Sequence, residues 1–123
     1  MSTTTLERFE GATLSLTRSA HIKERLTDAY RNYLALVEED ELPIELREEF
    51  RDLSHALTRE RPLLRGEDSI RATVRKMSCG EAENAAGRVV CLFAILLRAQ
   101  LAGSRVKAKA APTIVPMYAA EAG

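Results

Sequence analysis

The run Val89-Val90-Cys91-Leu92-Phe93-Ala94-Ile95-Leu96-Leu97 puts an apolar side chain on every side of any helix it forms. A helix that is apolar all round is buried all round. Either it is the central helix of a bundle, or part of it meets another chain. The run has nine residues, against the ~20 that a bilayer-spanning helix needs, so it predicts a core or interface helix and no membrane. The sides that a small bundle leaves uncovered would hold Val90, Ala94 and Leu97, or Cys91, Ile95 and Arg98, depending on rotation. Val90, Ala94, Ile95 and Leu97 are therefore the candidate interface residues, for self-association or for a protein partner.

The rest of the chain supplies companions. Apolar residues at Ile22, Leu26, Ala29, Tyr30, Tyr33, Leu36 and Val37 recur every three or four positions, which predicts a helix from Ala20 to Glu39 with Ser19 as its cap. Pro43 opens a second helix to Arg59, with Leu46, Phe50, Leu53 and Leu57 facing inward. Pro62 ends it, and Leu63 and Leu64 in the connector are expected at the core edge. A short third helix spans Ser69–Met77 after Asp68, burying Ile70, Val74 and Met77. Ser78 and Glu81 form a capping-box pattern for a fourth, Cys79–Ala102, which Gly103 stops. With aromatics at 5% and no Trp, the core must be mostly aliphatic, which suits helix-on-helix packing. The expected fold is all-α: a small antiparallel bundle of three longer helices and one short helix, residues 19–102. Residues 1–18, rich in Ser and Thr, and 103–123, Ala-rich with Pro112 and Pro116, read as disordered tails.

Lys and Arg balance Asp and Glu at 18 each, which argues against a strongly nucleic-acid-binding domain. No basic start with a long apolar run opens the chain, so a cytoplasmic location is expected. Cys79 and Cys91 on one helix stand ~18 Å apart, too far for a bridge. Cys79 lies at a helix start behind Arg75 and Lys76, an environment that favours thiol reactivity, but no His, Asn or Asp partner for it is identifiable. Cys91 reads as core filler.

Charge is laid out in blocks. Glu38–Glu49 holds seven acids and one Arg, and Arg59–Lys76 holds six bases against three acids. Arg65, Arg71, Arg75 and Lys76 are the candidate anion-binding set. His55 should lie exposed, opposite the apolar stripe of its helix. Ser54-His55-Ala56-Leu57 resembles the His box of histidine kinases in a few residues and departs from it at Ala56, where those boxes carry an acid. His21 near Glu24 and His55 near Asp52 should both point outward, and a second matching pair is missing, so no metal site is expected.

Leu42-Pro43, Leu46-Arg47-Glu48-Glu49-Phe50, Arg65-Gly66-Glu67-Asp68 and Arg71-Ala72-Thr73-Val74-Arg75-Lys76-Met77-Ser78 resemble segments of short uncharacterised proteobacterial proteins, over most of residues 20–100. That resemblance implies a bacterial cytosolic origin and carries no site residue. With no phosphate loop, paired metal ligands or nucleophile–base set, the sequence predicts a non-enzymatic helical protein, without a cofactor, acting by protein–protein contact in a regulatory or accessory role. The runner-up is an anion or nucleic-acid binding module on the basic helix, and the third is a phosphotransfer module on His55.

Overall fold

The computed structural model describes residues 3–110, with side chains over residues 4–103. Among the described residues the fold is all-α, with no strand. Five helices follow one another: α1 Thr3–Ser15, α2 Ile22–Asn32, α3 Ile44–Leu57, α4 Ser69–Lys76 and α5 Cys79–Ala110. Two single 3-10 turns, Leu34–Leu36 and Glu39–Glu41, join α2 to α3.

α5 organises the core. Ala82, Ala85, Val89, Leu92 and Leu96 recur at three- and four-residue steps and are buried against α1, α2 and α3. The small residues at its start let neighbouring backbones approach. Ser78 and Glu81 cap it as expected: Glu81 N–H donates to Ser78 Oγ at 3.0 Å, and Ser78 N–H to Glu81 Oε1 at 2.8 Å. Gly103 does not stop the helix, which continues to Ala110. Nothing lies within 4 Å of a Cβ built at Gly103, and a lone glycine costs a helix only about 1 kcal/mol. The expected C-terminal tail is thus helical over residues 103–110, and residues 111–123 lie outside the described residues.

The N-terminal expectation is overturned. Residues 1–18 were expected to be disordered, yet Thr3–Ser15 is a helix whose Phe9 and Ala12 are both 0% exposed, with Leu16 just beyond also buried. Thr5, Phe9, Ala12 and Leu16 follow a 4-3-4 spacing and form its inner edge. Threonines and a glycine make this segment a poor helix by propensity, so burial against α5 and α2 supplies its stability. Phe9 meets Phe50 of α3 edge to face, with ring centroids 5.7 Å apart. Gly11 lies under the Tyr33 ring, where any Cβ would collide with it. Arg8 Nη1 donates to the Leu36 carbonyl at 2.7 Å, tying α1 to the first 3-10 turn.

The helix expected over Ala20–Glu39 ends at Asn32. Two 3-10 turns follow, burying Leu34 and Val37 and leaving Leu36 exposed, against expectation. The cap of α2 is His21, not Ser19: His21 Nδ1 accepts the Lys23 backbone N–H at 3.1 Å. Arg25 holds the α1–α2 corner by donating to the carbonyls of Leu16 at 2.6 Å and Ala20 at 2.8 Å. Pro43 is the cap of α3, which starts at Ile44, one residue later than expected, and Phe50, Leu53 and Leu57 face inward. Leu63 and Leu64 do not cover the core edge. They are 71% and 60% exposed, because the connector turns through Gly66, in the left-handed region at φ 78°, and folds back on Glu67.

Asp68 caps α4 by accepting the Arg71 N–H at 3.1 Å, and it also receives both guanidinium arms of Arg31 at 2.8 Å each. The Arg31 guanidinium, with the cap hydrogen bond, draws its carboxyl down from 3.8 to about 2. A carboxyl lowered on folding stabilises the fold above its unfolded value, and that contribution fades as the pH falls from about 4 toward 2. The pair is half exposed, so solvent screening keeps the ion pair below about 1 kcal/mol. Asp68→Ala, which also removes the cap, should cost about 1–2 kcal/mol in urea denaturation at neutral pH. Asp68→Asn keeps a capping oxygen and should cost less than half as much. Equal costs for the two would place the whole effect in the ion pair.

Candidate functional site

The outer side of α5 stays uncovered. Val90 is 40% exposed, Ile95 39%, Leu97 37% and Leu101 52%, with Ala94 half-buried among them. Both alternative faces expected from the sequence are therefore open together. Cys91 is exposed on this side, not core filler. Its neighbours Val89 and Leu92 take the inward positions that helical spacing allots.

Gly87, Val90, Ala94, Leu97 and Leu101 alternate by three and four residues. That is the spacing of a seam that a second helix can follow. Gly87 and Ala94 are small enough for close approach. Arg98 is the only charged residue from Val89 to Gly103. Beside the start of the seam lies a shallow groove of about 460 Å³ between α1, α2 and α5, with Thr13, Leu16, Ile22, Ala86, Gly87 and Val90 in its walls. Over Cys79–Gly103, α5 is long and apolar enough to cross a membrane by length and composition alone. The nine-residue count missed this, because Ala85–Gly87 upstream and Leu101–Gly103 downstream extend the apolar stretch across the single charges Arg88 and Arg98. In the fold, that stretch packs one face into the core, although only 22% of its most apolar part is buried.

The four basic residues of the candidate anion set do not stand as four free charges. Arg75 donates to both oxygens of Glu67, at 2.9 and 3.2 Å, and Lys76 Nζ to Glu60 Oε1 at 3.1 Å. The Arg75 guanidinium holds the Glu67 carboxyl below the usual carboxylate range. Arg65 and Arg71 are exposed and have no ion pair among the described residues. They lie in the connector and in the first half of α4. The acids of the same segment thus neutralise half of the basic block. Arg71→Glu should change folding stability by less than about 1 kcal/mol, since only its backbone takes part in the α4 cap. Parallel urea melts of the two chains check this.

His55 faces solvent on α3, as its position opposite Phe50, Leu53 and Leu57 requires. Among the described residues no three His, Cys, Asp or Glu side chains cluster as metal ligands would.

One juxtaposition escaped the sequence reading. Cys79, the first residue of α5, has a histidine partner after all: its Sγ lies 3.6 Å from His21 Nε2. The two are 58 positions apart, so no local pattern joins them. His21 reads from sequence as an outward-facing residue near Glu24. Packing of α2 on α5 brings its ring across to the thiol. The visible hint is positional: His21 immediately precedes an amphipathic helix, where a side chain turned back as a cap is held in one orientation.

Comparison of the chain with known protein families, curated proteins and solved structures finds no match.

Proposed function

We propose that this chain is a small non-enzymatic helical protein that acts by protein–protein contact, and that the contact is made by the outer side of α5 with a second copy of the same chain. The carrying observation is the open seam Val90, Ala94, Leu97 and Leu101, flanked by Ile95 and Cys91. Apolar area left wet costs ~25 cal/mol per Å², and contiguous exposed apolar patches on small soluble domains mark interfaces.

A second copy fits the face better than a charged partner does. With one charge from Val89 to Gly103, the surface offers no electrostatic code for a different protein to read. Antiparallel pairing about a two-fold axis at Ala94 sets Gly87 against Leu101, Cys91 against Leu97, and Val90 against the aliphatic stem of Arg98. The two Arg98 positions are then ~12 Å apart along the axis, beyond the ~8 Å screening length at physiological salt. A parallel pair would place them side by side. Two-fold pairing through one self-complementary patch is also the commonest oligomeric arrangement.

Sedimentation equilibrium over a concentration series tests this reading. A reversible monomer–dimer equilibrium is expected. A strict monomer at millimolar concentration would overturn it, and co-flotation of that monomer with lipid vesicles would assign the face to a membrane surface instead.

A further inference from the structure

The structure places a nucleophile against an oriented partner. Cys79 Sγ is exposed, sits at the start of the 32-residue α5, and lies 3.6 Å from His21 Nε2. The imidazole is fixed from its other side. Its Nδ1 accepts the Lys23 backbone N–H at 3.1 Å, so Nδ1 carries no proton and, in the neutral ring, Nε2 does. Nε2–H therefore donates toward the sulfur, and the positive end of the α5 dipole lies behind it. The Lys23 ammonium reaches the Arg75 carbonyl at 3.4 Å, at the end of α4 just ahead of Cys79. A nucleophile within hydrogen-bond reach of a ring, with the ring oriented by a third group, is the arrangement of an activated side chain. In contrast, Cys91 is also free and exposed but lies mid-helix, with no such partner among the described residues.

We propose that Cys79, held by His21, is a modification site that takes a small disulfide in thiol–disulfide exchange. The Cys79 thiol first loses its proton to solvent. Its sulfur then attacks one sulfur of the disulfide, and a new S–S bond forms as the old one breaks. The departing thiolate carries off the electron pair and takes a proton from water. Cys79 is oxidised, and one half of the disulfide is reduced. The step is stoichiometric, because no second cysteine on the chain stands near enough to resolve the adduct: Cys91 lies ~18 Å away along α5. The inference is independent of the α5 dimer.

The experiment treats the full chain with glutathione disulfide and follows each cysteine by peptide mass spectrometry. In an Ala94→Glu background at micromolar concentration, where no second copy covers Cys91, Cys79 should form the mixed disulfide about tenfold faster than Cys91. His21→Asn supplies the control for structure. Asparagine is among the best helix caps, so α2 keeps its cap, while the ring that reaches Sγ is gone. In that variant, with an unchanged melting curve, the Cys79 rate should fall by about fivefold or more and the Cys91 rate should stay the same. Equal rates for the two thiols in the Ala94→Glu background, or an unchanged Cys79 rate in a folded His21→Asn chain, would overturn the proposal. Should His21→Asn lower the melting temperature, His21→Asp, a second capping residue, takes its place with the same readout.

Discussion

Phe9→Ala will remove about 3–5 kcal/mol of folding stability. Domains of this size have about 5–15 kcal/mol in all, so the variant should be close to half-unfolded in mild urea. Phe9 is fully buried, packs edge to face on Phe50, and seats α1 on the helices below it. Its loss leaves a cavity that Ala12 and Leu16, one and two turns further on, are held too firmly to fill. Removal of residues 1–18 should be worse still, because it uncovers the α1-facing side of α5 and α2 together. Urea denaturation followed by circular dichroism measures both changes. A Phe9→Ala cost below about 1 kcal/mol would mean that α1 does not belong to the core.

Ala94→Glu should dissociate the dimer while leaving the monomer folded. Ala94 is half-buried among exposed residues on the open side of α5, so the folded monomer keeps the carboxylate hydrated. In the paired state the two-fold axis at Ala94 brings two copies of the new charge together in a dry seam. Burying an unpaired charge costs about 3–5 kcal/mol, equal to a weakening of at least about 100-fold in dimer affinity. Leu92→Glu is the contrasting variant. Leu92 is 1% exposed on the inner side, and a carboxylate there should unfold the chain outright. Ile95→Glu, also on the open side, should keep the fold as well. Equal loss of fold in all of these variants would mean that α5 is surrounded on every side.

The parts of this fold that were legible in the sequence are those with local causes. Asp68, Ser78 and Glu81 announce the starts of α4 and α5 through hydrogen bonds that span only three residues. Phe50, Leu53 and Leu57 announce the buried side of α3 through their spacing. α1 was hidden because Thr3, Thr4, Thr5, Gly11 and Thr13 dilute its stripe, and its helix depends on partners from elsewhere in the chain. The break after Asn32 was hidden because Tyr30, Tyr33, Leu36 and Val37 continue a helical period that the backbone abandons to bury Leu34 and Val37. At the candidate site, the uncovered side of α5 was visible in outline, since nine successive apolar residues exceed what a few short helices can cover. Its rotation was not, nor was the exposure of Cys91. The pairing of Cys79 with His21 depends wholly on how α2 packs on α5, and nothing local encodes it.

Cys91 offers the most direct measurement of the central claim, because it reports from inside the proposed contact. Cys79 lies ~22 Å from Ala94 along α5 and serves as the internal reference. The rate at which a maleimide labels each cysteine should be followed as the chain concentration rises from micromolar to millimolar. If the outer side of α5 pairs with a second copy, labelling of Cys91 slows progressively with concentration while labelling of Cys79 does not, and Ala94→Glu abolishes the slowing. A Cys91 rate that stays constant across the whole range in the wild-type chain would contradict the account.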